Sequence, residues 1–177
     1  MSNRLALGLI MLAIVGRLIP HPDNFTPVAA VALFAGALLP GWRAAAVVLA
    51  VVVVSDFLLG FAPGLLSLGV YTGFMAGIGL GRWLGIERPW QTTAAVVSAN
   101  SLTFFIITNF IVWALPHAHS DVNYAHTFDG LVECYVMALP FLRNALIGDV
   151  FWASLLFGLY GFGRTRLSAQ SRLLAKI

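Results

Sequence analysis

Long apolar runs separated by short polar stretches make up most of this 177-residue chain. A membrane-spanning helix needs roughly 20 apolar residues to cross a hydrocarbon core about 30 Å thick. Six runs are candidates for such helices, and they cover residues 4–19, 27–39, 43–61, 65–85, 91–115 and 140–163. The second run, PVAAVALFAGALL, is too short to span alone. We therefore expect it to pack tightly with the first run and to be shielded by its neighbours.

A shorter helix is predicted between the last two runs, over residues 128–139. Its apolar face consists of Leu131, Val132, Tyr135, Val136 and Leu139. Pro140 should end this helix, because proline clashes with the preceding turn and lacks a backbone N–H. A short helix with one apolar face, placed between two spans, is suited to lie on the mouth of a cavity as a lid.

Composition indicates an integral membrane protein. Hydrophobic residues make up 60% of the chain and charged residues 10%, and the mean hydropathy is +0.91. Soluble domains carry about 25% charged residues. The net charge of +3 does not predict nucleic-acid binding, because the basic residues follow helix ends and do not cluster on one face. No repeat or low-complexity linker divides the sequence, so residues 1–177 are expected to form one all-α membrane domain.

The basic residues also predict an orientation, because Lys and Arg accumulate in cytoplasmic loops. With the N terminus inside the cell, eight of the ten basic residues lie on the cytoplasmic side: Arg4, Arg43, Arg82, Arg88, Arg164, Arg166, Arg172 and Lys176. The first run ends at Arg17 without a small-x-small cleavage site, so it is expected to remain as a helix. Six transmembrane helices with both termini in the cytoplasm are predicted.

Several polar side chains lie within or beside the outer halves of the predicted helices, where the bilayer makes them costly and functional roles are common. The candidate solute-binding residues are Arg17, His21, Asp23, Asn24, Asp56, Asn109, Arg143, Asn144 and Asp149. On the run 91–115, Ser98, Ser101, Thr108 and Asn109 fall within an arc of about 100°. These positions together predict an outward-facing polar cavity, with the lipid bilayer and a small solute as partners.

The outer loop RLIPHPDNFTPVAA, residues 17–30, could line the rim of this cavity because its X-Pro steps hold it extended. Structural roles are alternatives for the same residues. Asp23 or Asn24 could cap the second helix, with Pro27 in its first turn. The charged residues could instead neutralise one another inside the protein. Arg17 could pair with Asp56, and Arg143 could pair with Asp149 or Glu133.

Small residues predict close helix packing in the fourth run. Gly73, Gly77, Gly81 and Gly85 follow one another at i+4 spacing and form a groove on one helix face. Such stripes allow membrane helices to approach closely. Packing within the chain is the favoured interpretation, and docking of another subunit is the alternative.

Metal and thiol chemistry is only weakly indicated. His117, His119 and His126 occupy the last outer loop, and Cys134 follows them, but two histidines in a solvated loop are ordinary. Cys134 has no neighbouring cation in sequence and is expected to be a buried, inert thiol. No cofactor and no enzymatic activity are predicted, because phosphate-binding loops and the G-x-S-x-G and H-E-x-x-H motifs do not occur.

Four blocks of the chain resemble a known group of proteins. The blocks are RLIPHPDNFTPVAAVALFAGA (17–37), SDFLLGF (55–61), SANSLTFFIITNFIVW (98–113) and YAHTFDGLVECYVMALPFLRNALIGDVFWASLLFG (124–158). They resemble an uncharacterised family of bacterial six-helix membrane proteins described as transport proteins. That family is similar to the substrate-capture S components of energy-coupling-factor (ECF) vitamin transporters.

The resemblance implies a bundle in the bacterial inner membrane that captures a vitamin or related micronutrient in an outward cavity and then reorients. LALGLIMLAIVGRL lacks the A-x-x-x-A docking motif common in S components, so action with a separate ATPase module and action alone both stay open. Other functions also stay open. They are a membrane enzyme dependent on cysteine and histidine, a metal- or cobalamin-handling protein using Cys134, and a structural subunit of a membrane complex.

Overall fold

The computed structural model describes residues 2–61, 64–115 and 123–174, with side chains over 3–61, 64–115 and 123–166. This part of the chain forms seven α-helices and no strand. The helices are α1 (Ser2–Leu18), α2 (Val28–Leu38), α3 (Gly41–Leu59), α4 (Leu65–Leu84), α5 (Trp90–Ala114), α6 (Phe128–Met137) and α7 (Leu139–Leu174). They form where the apolar pattern places helices, except that α7 continues from the predicted end at 163 to Leu174.

Within the described residues, three helices are long and apolar enough to cross a membrane: α3, α5 and the segment Leu139–Arg166 of α7. α1 and α2 have 17 and 11 residues, which makes them shorter than a typical span. α4 has 20 residues but is not one of these three helices. Three apolar helices of spanning length are consistent with a membrane protein.

The outer surface of the bundle is also apolar. Met11 on α1, Phe57 on α3, Phe110 on α5 and Phe162 on α7 are among many large hydrophobic side chains that are exposed. Soluble monomers rarely expose large contiguous apolar surfaces. The surface therefore agrees with a chain surrounded by lipid.

Successive long helices run in opposite directions, which gives the bundle two chemically different ends. Arg17 at the end of α1 lies against Asp56 near the end of α3, and the beginnings of α2, α4 and α7 meet there as well. We call this the cavity end. The opposite end, called the basic end, carries Arg4, Arg43, Arg82, Arg88, Arg164 and Arg166.

The short helix α2 forms the centre of the bundle, since eight of its 11 residues are buried. It packs chiefly against α4 and also contacts α3 and α7, whereas α1 packs chiefly against α3. The expected close pairing of the first two helices is therefore wrong. α2 is too short to span a membrane by itself. Contacts with five other helices surround it and shield it from lipid.

α2 and α4 approach to backbone contact, which only glycine permits. A Cβ atom at Gly36 would collide with the backbone carbonyl of Ile78, and one at Gly81 would collide with the backbone carbonyl of Leu33. Two glycines, one on each helix, thus allow the two backbones to pack directly against each other.

The remaining glycines of the predicted stripe have two different roles. A Cβ at Gly73 would lie 2.6 Å from the ring of Phe104, and one at Gly77 would lie 2.7 Å from Oδ1 of Asn100, both on α5. Gly85 instead ends α4 with a φ of 65°. Over Gly73–Gly81 the groove is filled by helices of the same chain, so another subunit would have to dock elsewhere.

Two helix ends differ from the sequence predictions. Pro27 is the N-cap of α2, and neither Asp23 nor Asn24 caps it with a side chain. Asn24 instead adopts a φ of 61°, a left-handed conformation that asparagine tolerates better than most residues. α6 ends at Met137, and Pro140 lies in the first turn of α7, where its missing N–H has no helical partner to lose.

Candidate functional site

A cavity of about 280 Å³ lies at the cavity end, between α1, α2, α4, α5 and α7. Small-molecule sites start at roughly 300 Å³ and combine apolar walls with a few polar groups. The apolar wall here includes the rings of Phe74, Phe104 and Phe141. The polar lining consists of Arg17, Asn24, Thr26, Ser101, Thr108, Asn109 and Asp149.

Four of the nine predicted site residues line this cavity: Arg17, Asn24, Asn109 and Asp149. Asp56 does not line it but contacts Arg17. Thr26, Ser101 and Thr108 line it without having been predicted as site residues. For Ser101 and Thr108 a signal was present, because both belong to the polar stripe of α5.

Besides Asp56, four other predicted residues do not line the cavity: His21, Asp23, Arg143 and Asn144. Nδ1 of His21 lies 2.8 Å from the carbonyl oxygen of Pro22 in its own loop. On α7 the lining face is formed by Phe141, Ala145 and Asp149, each four residues apart. At about 100° per residue, Arg143 and Asn144 point about 160° and 100° away from Ala145. Arg143 and Asn144 therefore lie on other faces of α7 and point away from the cavity.

Arg17 is anchored to α3 by two hydrogen bonds from one nitrogen. Its Nη1 atom donates to Oδ1 of Asp56 at 2.8 Å and to Oγ of Ser55 at 2.6 Å. The side chains of Arg17 and Asp56 are 18% and 23% exposed. The alternative that Arg17 pairs with Asp56 is confirmed, while Arg143 pairs with neither Asp149 nor Glu133 in the described part of the chain.

Asp149 is buried, and one serine holds it. Oγ of Ser101 on α5 lies 2.6 Å from Oδ2 of Asp149 and 3.2 Å from the carbonyl oxygen of Val97. A hydroxyl has one proton, and the shorter contact is the one with the carboxylate. Asp149 is 3% exposed, and Ser101 is 1% exposed. This contact connects α5 and α7 at the cavity wall.

Two further residues of α5 offer hydrogen-bond acceptors to a bound molecule. Nδ2 of Asn109 donates to the carbonyl oxygen of Phe105 at 2.8 Å, and the hydroxyl of Thr108 donates to that of Phe104 at 2.9 Å. These bonds use the Thr108 hydroxyl proton and one amide proton of Asn109. Oδ1 of Asn109 and the lone pairs of the Thr108 hydroxyl are then available to a solute.

The short helix α6 packs on α5 beside the cavity, and none of its residues lines the cavity. Its buried face consists of the small residues Gly130 and Cys134, whereas Val132 and Val136 of the predicted apolar face are exposed. The hydroxyl of Tyr135 donates to the carbonyl oxygen of Ile106 at 2.7 Å. Because no residue of α6 lines the cavity, the cavity lining does not support the predicted role of α6 as a lid.

Cys134 is buried against α5, and its Sγ donates to the carbonyl oxygen of Asn109 at 3.4 Å. Burial raises the pKa of this thiol. Burial also raises the pKa of Tyr135, and the nearby Cys134 raises it further. These groups are therefore neutral at physiological pH, which does not suit Cys134 to nucleophilic chemistry or cobalt ligation.

Metal ligation has no support in the part of the chain that the structure describes, where no group of three His, Cys, Asp or Glu side chains could hold an ion. His117 and His119 lie outside the described residues. His126 is exposed, and its ring lies 5.6 Å from that of Trp113.

Cys134 should react slowly with maleimides. Because the raised pKa keeps the thiol protonated and burial hides it, we expect labelling of the native protein at neutral pH to be at least about tenfold slower than labelling in SDS. The neutral thiol stabilises the fold relative to the thiolate. Its contribution to the free energy of unfolding is complete below the pKa of the thiol in the unfolded chain, about 8.5. The contribution is lost as the pH rises through the raised pKa of the folded state. Equal labelling rates in the two states would contradict the buried position.

Comparison with curated proteins and with solved structures finds no match. A family model does match, over residues 1–170, and this range includes every described residue that lines the cavity. The chain belongs to the DUF6580 family, a family of unknown function.

Proposed function

We propose that this chain is a six-span protein of the bacterial inner membrane that captures a small solute in an outward-facing cavity, as the S components of ECF transporters do. One observation carries the proposal: Arg17, Asn109 and Asp149, from three different helices, converge on a cavity with phenylalanine walls. Ionisable residues within membrane helices usually face such cavities and mark solute pathways.

The orientation is supported by the two ends of the bundle. The described arginines other than Arg17 and Arg143 lie at the basic end, which the positive-inside rule assigns to the cytoplasm. Trp42, Trp83 and Trp90 are exposed at the same end, where tryptophan side chains anchor helices at the membrane interface. The cavity end then faces the outside of the inner membrane, as an uptake protein requires.

The solute class is a vitamin or related micronutrient, by analogy with S components. Three phenylalanine rings and a few convergent polar groups suit a compact, ring-containing molecule. Transport would follow when the whole bundle reorients, with a separate ATPase module as the energy source. A cysteine-dependent enzyme and a structural subunit docking through the α4 glycines are not favoured by any contact described above.

Replacing Asn109 should reduce solute uptake while leaving the fold intact. The experiment compares cells that produce the wild type, Asn109→Ala or Asn144→Ala and measures by mass spectrometry which solutes disappear from a defined medium. We expect depletion by Asn109→Ala to be about tenfold slower than by the wild type, because a hydrogen-bond acceptor is lost from the site. Asn144→Ala is the matched control and should behave as the wild type.

Two outcomes would count against the proposal. One is that no solute disappears faster from cells that produce the wild type than from cells without the protein. The other is equal loss in Asn109→Ala and Asn144→Ala at equal amounts of protein in the membrane, since the two side chains differ in whether they line the cavity.

A further inference from the structure

The charges around the cavity do not balance. Among the described residues, the lining contains one guanidinium, Arg17, and one carboxyl group, Asp149. Arg17 is already paired with Asp56, whereas neither ion pair among the described residues includes Asp149. With both carboxylates ionised, Arg17, Asp56 and Asp149 would carry one net negative charge, and the unpaired carboxylate is that of Asp149, the most buried of the three side chains.

No neighbouring helix supplies a cation for Asp149. α7 packs against α2, α5 and α6. α2 and α5 contain no ionisable acidic or basic side chain, and α6 contributes only the acidic Asp129 and Glu133. Among the described residues, the hydrogen bond from Ser101 reaches only Oδ2 of Asp149. Ionising a carboxyl group that is buried without a cation is strongly unfavourable, so a positive charge that enters the cavity would stabilise the ionised form of Asp149 and be held by it.

The apolar wall is also suited to a cation. The rings of Phe74 and Phe104 lie with centroids 4.9 Å apart at the cavity wall, and Phe141 lies two helical turns before Asp149 on the same face of α7. Aromatic faces attract substituted ammonium groups and cationic heterocycles, and the attraction is stronger where water is excluded.

We infer that the captured solute is a small organic cation, a substituted ammonium or a cationic nitrogen heterocycle, whose positive charge is neutralised by Asp149. This inference rests on the proposed function and specifies the charge of its solute. Ser101 is a positioning residue, since it holds the carboxylate at the wall, and Arg17 remains bound to Asp56.

The test is native mass spectrometry of the protein purified gently from the organism that encodes it, after incubation with that organism's small-molecule extract. Bound molecules are released in the gas phase and identified by accurate mass and fragmentation. The ionisable groups of each identified molecule then give its charge at neutral pH. Wild type, Asp149→Asn and Asp129→Asn are compared. Asp129→Asn is the matched control because it removes the same charge at an exposed position outside the cavity.

We expect the wild type and Asp129→Asn to carry an organic cation, and Asp149→Asn to carry at least about tenfold less of it. A neutral or anionic molecule on the wild type would overturn the inference and leave the proposed function standing. No bound molecule on the wild type would overturn the proposed function and the inference with it. The charge of the molecule on the wild type decides the matter even where Asp149→Asn does not fold.

Discussion

Replacing Gly81 with alanine is expected to destabilise the fold by about 3 kcal/mol or more, at the upper end of overpacking effects. The added methyl group would collide with the backbone carbonyl of Leu33, which cannot move aside as a flexible side chain could. α4 and α2 would have to separate, and α2 is the most buried helix of the bundle.

Gly79→Ala provides a matched control on the same helix. A Cβ at Gly79 would meet no atom within 4 Å. Alanine also has a higher helix propensity than glycine, so Gly79→Ala should be neutral or stabilising by up to about 1 kcal/mol. Thermal unfolding of the detergent-solubilised variants, followed by circular dichroism, measures both effects. Similar unfolding temperatures for the two variants would contradict the backbone contact between α2 and α4.

The positions of the helices could be predicted from the sequence because each apolar run ends at a polar, proline-rich or glycine-rich segment. The packing partners could not. Ala29, Ala32 and Gly36 indicate that α2 can approach another helix closely, but a smooth face does not specify which helix it meets. The partner is α4, since Gly81 and Gly36 provide two complementary contact points on that pair.

The residues of the site could be predicted where they share one face of a helix. Of the four residues in the predicted polar stripe of α5, Ser101, Thr108 and Asn109 line the cavity, whereas Ser98 does not. On α7, closeness in sequence was misleading. Arg143 and Asn144 lie only a few positions from Asp149, but the face of Ala145 and Asp149 excludes them. The loop before α2 has no period, so nothing in its sequence separates Asn24, which lines the cavity, from Asp23, which does not.

Asp56→Asn is expected to destabilise the protein by about 2–3 kcal/mol, between the values for exposed and buried ion pairs. The change keeps the shape of the side chain but leaves the guanidinium of Arg17, which is 18% exposed, without its counter-ion. A second change, Arg17→Met, removes the uncompensated charge and keeps an apolar stem. The double variant Arg17→Met/Asp56→Asn should therefore be more stable than Asp56→Asn alone, and a double-mutant cycle measures the coupling.

The exposed ion pair at the basic end is the control for this result. Nη2 of Arg164 lies 3.2 Å from Oε1 of Glu87, and the two side chains are 53% and 81% exposed. Glu87→Gln should change the free energy of unfolding by less than about 0.5 kcal/mol, because solvent screens the pair. Equal effects of Asp56→Asn and Glu87→Gln in SDS unfolding would mean that the Arg17 pair is solvated like a surface pair. A larger effect of Asp56→Asn would instead support a partly buried pair at the cavity end, in which Asp56 is the counter-ion of Arg17.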